Sequence, residues 1–212
     1  MALSDSQGWR EPSGDADMPS PWPELDEHLH LRPGHLIGIG ALTGSREAEA
    51  GYDLALHTAA QGEHTLLYAP HLTPRNPVPN LEIRRRGLSP QSIEAVLEGR
   101  AGTSRPVSLV VIDHFALMQM DDDEPFHEPE QAADLGRRLK MLASCVPIVV
   151  MAQLTVDTDS DPLQHRHLGL AGELEYDADT LLLMHRTDSR SVEVLIAKDR
   201  HSYAPRKATI TW

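Results

Sequence analysis

Several separate runs of apolar and β-branched residues most constrain the fold of this chain. Residues 107–113 read VSLVVID, and residues 146–153 read VPIVVMAQ. A continuous run of this kind is typical of a central strand in a parallel sheet, where both faces of the strand are buried. Shorter runs that also predict strands lie at 36–40, 65–68, 81–84 and 180–185.

Helical patterns alternate with these strands. Residues 48–60 and 131–143 predict helices, and Ser89-Pro90 predicts a third one, with the serine as its N-cap and the proline at the first helical position. Strands that alternate with helices predict an α/β fold. We therefore expect a twisted, mostly parallel sheet with helices on both faces.

The two ends of the chain differ from its middle. Residues 1–21 are rich in Ser, Pro, Gly and Asp and predict a disordered leader, followed by one domain over 22–212. Residues 192–198 and 208–212 alternate between apolar and polar side chains, which predicts a C-terminal antiparallel strand pair.

The charge balance restricts the possible partners. The 32 acidic and 19 basic residues give a formal net charge of −13. Nucleic-acid binding draws most of its affinity from Lys and Arg, so this balance predicts weak or no binding to nucleic acid. The single cysteine, Cys145, excludes an internal disulfide and fits a reducing compartment. No run reaches the 18 or more apolar residues of a membrane span, so we expect a cytoplasmic protein with no membrane partner.

The segment between the first predicted strand and helix has the frame of a phosphate-binding loop without its chemistry. Such a loop reads G-x-x-x-x-G-K-[ST], in which the lysine neutralises phosphate and the hydroxyl holds Mg²⁺. Counted from Ala41, the second glycine falls on Arg46, the lysine on Glu47 and the hydroxyl residue on Ala48. The degenerate nucleotide site predicted here comprises Ala41, Gly44, Ser45, Arg46, Glu47 and Ala48.

An ordered series of segments resembles the C-terminal motor domain of the DnaB-type replicative DNA helicases, a RecA-like ATPase. The series includes LRPGHLI before the loop, GLSP at 87–90, VVIDHFALM at 110–118, AQL at 152–154, EYDAD at 175–179 and AKDR at 197–200. The resemblance runs from about residue 22 to residue 212 and implies a RecA-like, P-loop-type fold. Because a fold does not confer an activity, the site needs its own argument.

The resemblance also implies roles for four residues. Asp113 matches the Walker B aspartate that organises Mg²⁺, and Gln153 matches the polar sensor of the γ-phosphate. Lys198 and Arg200 match the pair that reaches into a neighbouring subunit's nucleotide site. The alternatives are that Asp113 only caps a turn and that the two cations form a solvated edge.

The replacement of the lysine, the hydroxyl residue and the catalytic glutamate at the site predicts that ATP is not hydrolysed. The family's catalytic glutamate follows the second strand, where this chain offers His71, which is interpreted as a surface-loop imidazole. One preorganised electrostatic contact contributes about 3 kcal/mol in a transition state, so losing three would slow turnover by roughly six orders of magnitude. We expect no catalytic residues, with Asp113, Gln153, Lys198 and Arg200 vestigial, and neither cofactor nor metal.

The predicted DNA-contacting loop is also altered. Residues 121–130 carry six carboxylates and neither Lys nor Arg, a composition that repels a phosphate backbone. The cluster Arg84-Arg85-Arg86 could touch nucleic acid or an acidic partner, or form a solvated edge. The H-x-H pairs at 28–30 and 165–167 lack a third metal ligand at suitable spacing.

These observations favour a catalytically degenerate RecA-like domain that acts as an interaction or regulatory module linked to DNA replication. Its partner would be another protein or a second copy packed through the edges of the domain. Two alternatives remain: a helicase-family ATPase that uses ATP and Mg²⁺ with an unorthodox loop, with Asp113 as the metal ligand, and a nucleotide sensor that binds without hydrolysis.

Overall fold

The computed structural model describes residues 17–42, 49–72, 77–120, 124–154, 164–187 and 191–211. These residues form one eight-stranded sheet with the strand order β3-β2-β4-β5-β1-β6-β7-β8. The strands are β1 Leu36–Leu42, β2 Thr65–Tyr68, β3 Leu81–Arg84, β4 Leu109–Ile112, β5 Ile148–Leu154, β6 Thr180–Arg186, β7 Ser191–Asp199 and β8 Arg206–Thr211.

Strands β1 to β6 run parallel, and β7 and β8 add an antiparallel pair beside β6. The predicted α/β fold with a C-terminal antiparallel pair is therefore confirmed. Parallel strands all end at the same side of a sheet. We call the side where β1 to β6 end the carboxyl edge, and the side where they begin the amino edge.

Helices cover both faces of the sheet. They are α1 Ala50–Ala60, α2 Pro90–Arg100, α3 Pro129–Ala143 and α4 Leu174–Asp177, the last preceded by a 3-10 stretch at His165–Glu173. Helix α1 packs on one face together with residues 17–33, which we call the N-terminal segment, and α2, α3 and α4 pack on the other. Within the described residues, no helix is both long and apolar enough to span a bilayer.

The central strand β4 shows why the β-branched run predicts this architecture. Its side chains alternate between the two faces: Leu109 and Val111 join the core under α1, whereas Val110 and Ile112 join the core under α2 and α3. All four residues are fully buried. A strand that is apolar on both sides is stable only between two layers of helices.

Two glycines allow close packing around the end of β1 and the start of α1. A Cβ on Gly40 would lie 2.9 Å from Leu154 Cδ2, and a Cβ on Gly51 would lie 2.7 Å from Met151 Cγ. Glycine at these positions lets neighbouring side chains fill the space above β1 and lets the first turn of α1 approach β5.

One loop boundary and one helical stretch differ most from the sequence prediction. The acidic loop predicted over 121–130 ends earlier because α3 begins at Pro129, after a capping box formed by Glu128 and Gln131. Residues 121–123 of that loop lie outside the described part of the chain. The helical stretch from His165 to Asp177 was not predicted, because its turns are short and are interrupted at Gly169, whose φ is +55°.

The N-terminal segment packs closely on the sheet. Trp22, Leu25, Leu29 and Leu31 are buried in the core under α1, and the backbone N–H of Met18 donates to Leu31 O at 3.1 Å. Residues 17–21 belong to the predicted leader, and residues 1–16 lie outside the described ranges. The division of the chain at residue 21 therefore stays a prediction.

Candidate functional site

The carboxyl edge gathers polar residues from three neighbouring strands, β2, β4 and β5. Gln153 lies near the end of β5, Asp113 follows β4, and His71 follows β2. Ala41 is buried in β1, in register with Gln153. Gly44, Ser45, Arg46, Glu47 and Ala48 belong to the 43–48 connection, which lies outside the described residues, so their predicted positions are not tested.

Asp113 is held at the end of β4 by both its backbone and its side chain. Its N–H donates to Tyr68 O at 2.8 Å, and its Oδ2 lies 3.3 Å from His71 Nε2. Burial raises the pKa of the Asp113 carboxyl above its usual value, and the neighbouring His71 and His114 oppose that rise. The carboxylate thus faces an imidazole at the place where the resemblance implies a metal ion.

His114 and Gln153 form a second contact beside Asp113. Gln153 Nε2 lies 3.0 Å from His114 Nε2. Burial lowers the pKa of His114, partly opposed by the charge of Asp113. A neutral His114 can accept the hydrogen bond from the Gln153 amide at Nε2, which leaves its proton on Nδ1. These contacts join β4 and β5 through side chains at the carboxyl edge.

Lys198 and Arg200 lie at the opposite side of the sheet. Lys198 pairs with Leu181, which is in register with Gly38, whereas Gln153 is in register with Ala41. Three residues of β1 span about 10 Å along the strand, and the β5 and β7 positions are three strands apart. Within one chain, the structure therefore does not bring the two cations to Asp113.

Both cations bind the end of α4. Lys198 Nζ donates to Glu175 O, and Arg200 Nη2 donates to Tyr176 O at 3.1 Å. Burial lowers the pKa of Lys198, and the charge of Arg200 adds to this effect. Cations that lie near the carbonyl groups at the C-terminal end of a helix are stabilising. Both side chains therefore have binding partners within their own chain that do not involve a nucleotide.

Asp179 organises the amino edge, although no sequence motif assigns it a role. Its Oδ2 accepts hydrogen bonds from Leu36 N–H at 2.8 Å and from Lys140 Nζ at 2.6 Å, and Arg200 Nη1 lies 3.4 Å from its Oδ1. Burial alone would raise the pKa of Asp179, but these hydrogen bonds and charges hold it below its usual value. The signal available in the sequence was an aspartate directly before a buried strand.

The interpretation of His71 as a surface-loop imidazole is incomplete. Its side chain is 57% exposed, yet it contacts Asp113. His114 was also missed as a site residue, although it directly follows the aspartate at the end of β4. In the described part of the chain, no group of three or more His, Cys, Asp or Glu side chains is arranged to hold a metal ion.

A match to a protein family identifies the domain. The family model for the DnaB-like helicase C terminal domain matches residues 82–209, more than half of the chain. The chain belongs to this family. The predicted resemblance is thereby confirmed, and the matched range contains Asp113, Gln153, Lys198 and Arg200.

Individual relatives of this DnaB-like domain are distant. Two sequences described as "Probable plasmid replicative DNA helicase" from Chlamydia trachomatis, one of them from serovar L2, are 32% identical over 101 residues. The matched region covers 45% of this chain and 22% of each relative. The match therefore spans less than a quarter of the length of these relatives.

Solved structures show the same fold. The ATPase domain of the protein G40P superposes with a TM-score of 0.76 at 17% identity, covering 95% of this chain and 90% of that one. A DnaB-like replicative helicase, described together with its interactions with primase, gives a TM-score of 0.74 at 18% identity, covering 94% and 63%. The DnaB-like domain described here therefore has the fold of a RecA-like ATPase domain.

Proposed function

We propose that this DnaB-like domain does not hydrolyse ATP and serves as an interaction or regulatory module linked to DNA replication. The observation that carries the proposal is the sequence of the connection between β1 and α1. In this family's fold that connection would cradle the phosphates of ATP, and here it places Glu47 and Ala48 at the lysine and hydroxyl positions. A carboxylate repels the triphosphate, and a methyl group cannot bind Mg²⁺.

The surroundings of Asp113 support the same proposal. Burial raises the pKa of Asp113, which makes its ionised form less favourable than in water. Its Oδ2 contacts His71 at 3.3 Å, and an imidazole replaces the glutamate that the family's catalytic chemistry requires after β2. Lys198 and Arg200 are already bound to carbonyl groups of their own chain.

The partner in this proposal is a protein. A second copy of the chain or another component of a replication helicase assembly would pack on the edges of the domain, in the cytoplasm. The DnaB-like helicase that shares this fold is described with its interactions with primase, which makes a primase-like protein a reasonable candidate to test. Nucleic acid is disfavoured by the formal charge of −13.

The test is a calorimetric titration of the chain with ATP and Mg²⁺. We expect no saturable heat for the wild type, and saturable binding for Glu47→Lys combined with Ala48→Thr, which restores the ammonium and the hydroxyl group. Glu49→Lys is the matched control, since it makes the same charge change two residues away, at an exposed position before α1. Saturable binding of ATP by the wild type would refute the proposal that this domain acts without a nucleotide.

The second candidate is an ATPase with an unorthodox loop. It is favoured by the convergence of His71, Asp113, His114 and Gln153 at the carboxyl edge, the side of a parallel sheet where ligands bind in α/β folds. Steady release of phosphate that is abolished by Asp113→Ala would establish this candidate. Binding of ATP without phosphate release would instead establish a nucleotide sensor.

A further inference from the structure

Three imidazoles from separate parts of the chain meet at the amino edge. His30 belongs to the N-terminal segment, His35 directly precedes β1, and His201 lies in the turn between β7 and β8. The ring centroids of His30 and His201 are 4.9 Å apart, those of His35 and His201 are 4.9 Å apart, and those of His30 and His35 are 5.5 Å apart. His35 and His201 also face each other directly, with 2.8 Å between their Nε2 atoms.

This 2.8 Å contact depends on the protonation state of the two rings. A hydrogen bond between two imidazole nitrogens needs one N–H and one lone pair, so at least one ring must be neutral. When both rings are protonated, both Nε2 atoms are donors and the contact becomes repulsive. The cluster has little capacity to absorb the extra charge, because His30 Nε2 is buried without a hydrogen-bond partner in the described residues, and only the backbone of Pro33 and the charge of Asp179 favour a protonated His35.

The carboxylates around the cluster already have hydrogen-bond or ion-pair partners. Asp17 accepts from His30 Nδ1 at 2.9 Å and lies 3.5 Å from Arg32 Nε. From the β6 side, Asp179 faces His35 but binds Lys140, Leu36 N–H and Arg200. From the β7 side, Asp199 accepts from His28, Ser202 and His201 N–H. The carboxylate with the most direct contact to the cluster, Asp17, binds His30 rather than the His35–His201 pair.

We propose that His30, His35 and His201 form an acid-sensitive latch. At neutral pH the latch holds the β7–β8 turn against His30 of the N-terminal segment and against the start of β1, and it opens when both His35 and His201 become protonated. The turn carries Arg200, whose guanidinium binds Tyr176 O and Asp179. Opening therefore changes the surface that the domain presents at its amino edge, whether or not a nucleotide is ever bound.

The direction of the pH dependence follows from the surroundings of His35. Burial lowers the pKa of His35 below its ordinary value of 6.5, opposed by the charge of Asp179. A group whose pKa is lower in the closed state binds more protons when released. The latch is therefore fully stable above about pH 6.5 and loses stability as the pH falls below that value.

A neighbouring buried pair ties the N-terminal segment to the end of β7. His28 Nδ1 lies 2.9 Å from Asp199 Oδ2, and both side chains are almost completely buried. The latch therefore acts on the turn after Asp199, and the N-terminal segment keeps this contact when the latch opens.

Hydrogen exchange measured by mass spectrometry tests the latch. In the presence of EDTA, which removes stray metal ions from the imidazoles, a peptide covering residues 199–205 is followed from pH 7.5 to pH 5. After correction for the intrinsic pH dependence of exchange, we expect this peptide to lose protection by about tenfold or more, while the β4 peptide keeps its protection. Simultaneous loss of protection in β4 would mean global unfolding and would overturn the proposal.

The decisive variant is His201→Gln. A glutamine amide can donate to a neutral His35 or accept from a protonated one, so the pH-dependent loosening should disappear. His127→Gln is the matched control, because this exposed imidazole lies outside the cluster and should leave the loosening unchanged. The same loosening in His201→Gln as in the wild type would refute the latch.

A second measurement needs no variant. The ring Cε1–H resonance of His35 reports its titration by NMR. We expect His35 to titrate below pH 6.5, over the same pH range in which the 199–205 peptide loses protection. Titration of His35 near 6.5, as for an independent surface imidazole, would contradict the proposal.

Discussion

At the scale of single residues, Asp179 links three parts of the fold. Its carboxylate, only 6% exposed, binds the backbone of β1, the ammonium of α3 and the guanidinium that follows β7. Each of these groups is separated from Asp179 in sequence by tens of residues or by a whole strand. Removing the charge would leave Lys140 beside a neutral amide in a largely buried position.

We expect Asp179→Asn to lower the free energy of unfolding by about 2 kcal/mol near pH 7, since charged hydrogen bonds typically contribute about 1.5–3 kcal/mol. Because the pKa of Asp179 is lowered from 3.8, its contribution is present above that pH and lost as the pH falls through the lower folded value. Urea unfolding at pH 7 and pH 3 checks both statements. Asp134→Asn is the control and should cost under about 0.5 kcal/mol, as its side chain is 40% exposed and its ion pair with Arg137 lies at the surface.

Asp113 should behave in the opposite way. Its raised pKa means that the fold disfavours its ionised form, so the neutral and nearly isosteric Asp113→Asn should increase the free energy of unfolding by about 0.5–1 kcal/mol at pH 8. Urea unfolding of the variant and the wild type measures the difference. A loss of stability larger than about 1 kcal/mol would indicate that the contact with His71 outweighs the cost of burial.

At the scale of elements, the start of α2 offers a defined test of local sequence signals. Ser89 Oγ accepts a hydrogen bond from Ser92 N–H at 3.2 Å, and Pro90 occupies the first helical position. We expect Ser89→Ala to cost about 1 kcal/mol in thermal or urea unfolding. Ser144→Ala, at the other end of a different helix, is the control and should cost less, because its hydroxyl donates to the nearby Met141 carbonyl group and contacts Cys145 Sγ but caps no helix N–H group.

The strands and this helix start were predictable from the sequence because local chemistry determines them. The run over 107–113 predicts β4 through its two-sided apolar character, and Ser89-Pro90 predicts the beginning of α2. The stretch from His165 to Asp177 was not predictable, because its turns are short and are stabilised by contacts with α3 and β5. The capping box at Glu128 was visible in the sequence but was assigned to the acidic loop.

The candidate site was predictable in part. The order of the strands places Asp113 and Gln153 at one edge, so a correct fold brings them together. The contacts of His71 with Asp113 and of His114 with Gln153 depend on side-chain directions at strand ends, which no spacing in the sequence encodes. The separation of Lys198 and Arg200 from this site follows from the antiparallel direction of β7, which the alternating pattern of that strand predicts.

At the scale of the whole molecule, the negative net charge opposes binding to nucleic acid. We expect no electrophoretic shift of single-stranded DNA at physiological salt, since the net charge is −13 and residues 121–123 are all aspartate. Replacing these three aspartates with lysine changes the loop's charge by six units and should produce a salt-sensitive shift if the loop faces the strand. A clear shift by the wild type would contradict this prediction.

The placement of Asp113 and Arg200 at opposite edges has a consequence for any self-assembly that pairs those edges. A contact that joins one side of a copy to the other side of the next is heterologous and cannot be satisfied by a two-fold dimer. Such a contact leaves one free surface at each end of every pair. Assembly then continues until the rotation between neighbours closes a ring, or it proceeds without limit as a filament.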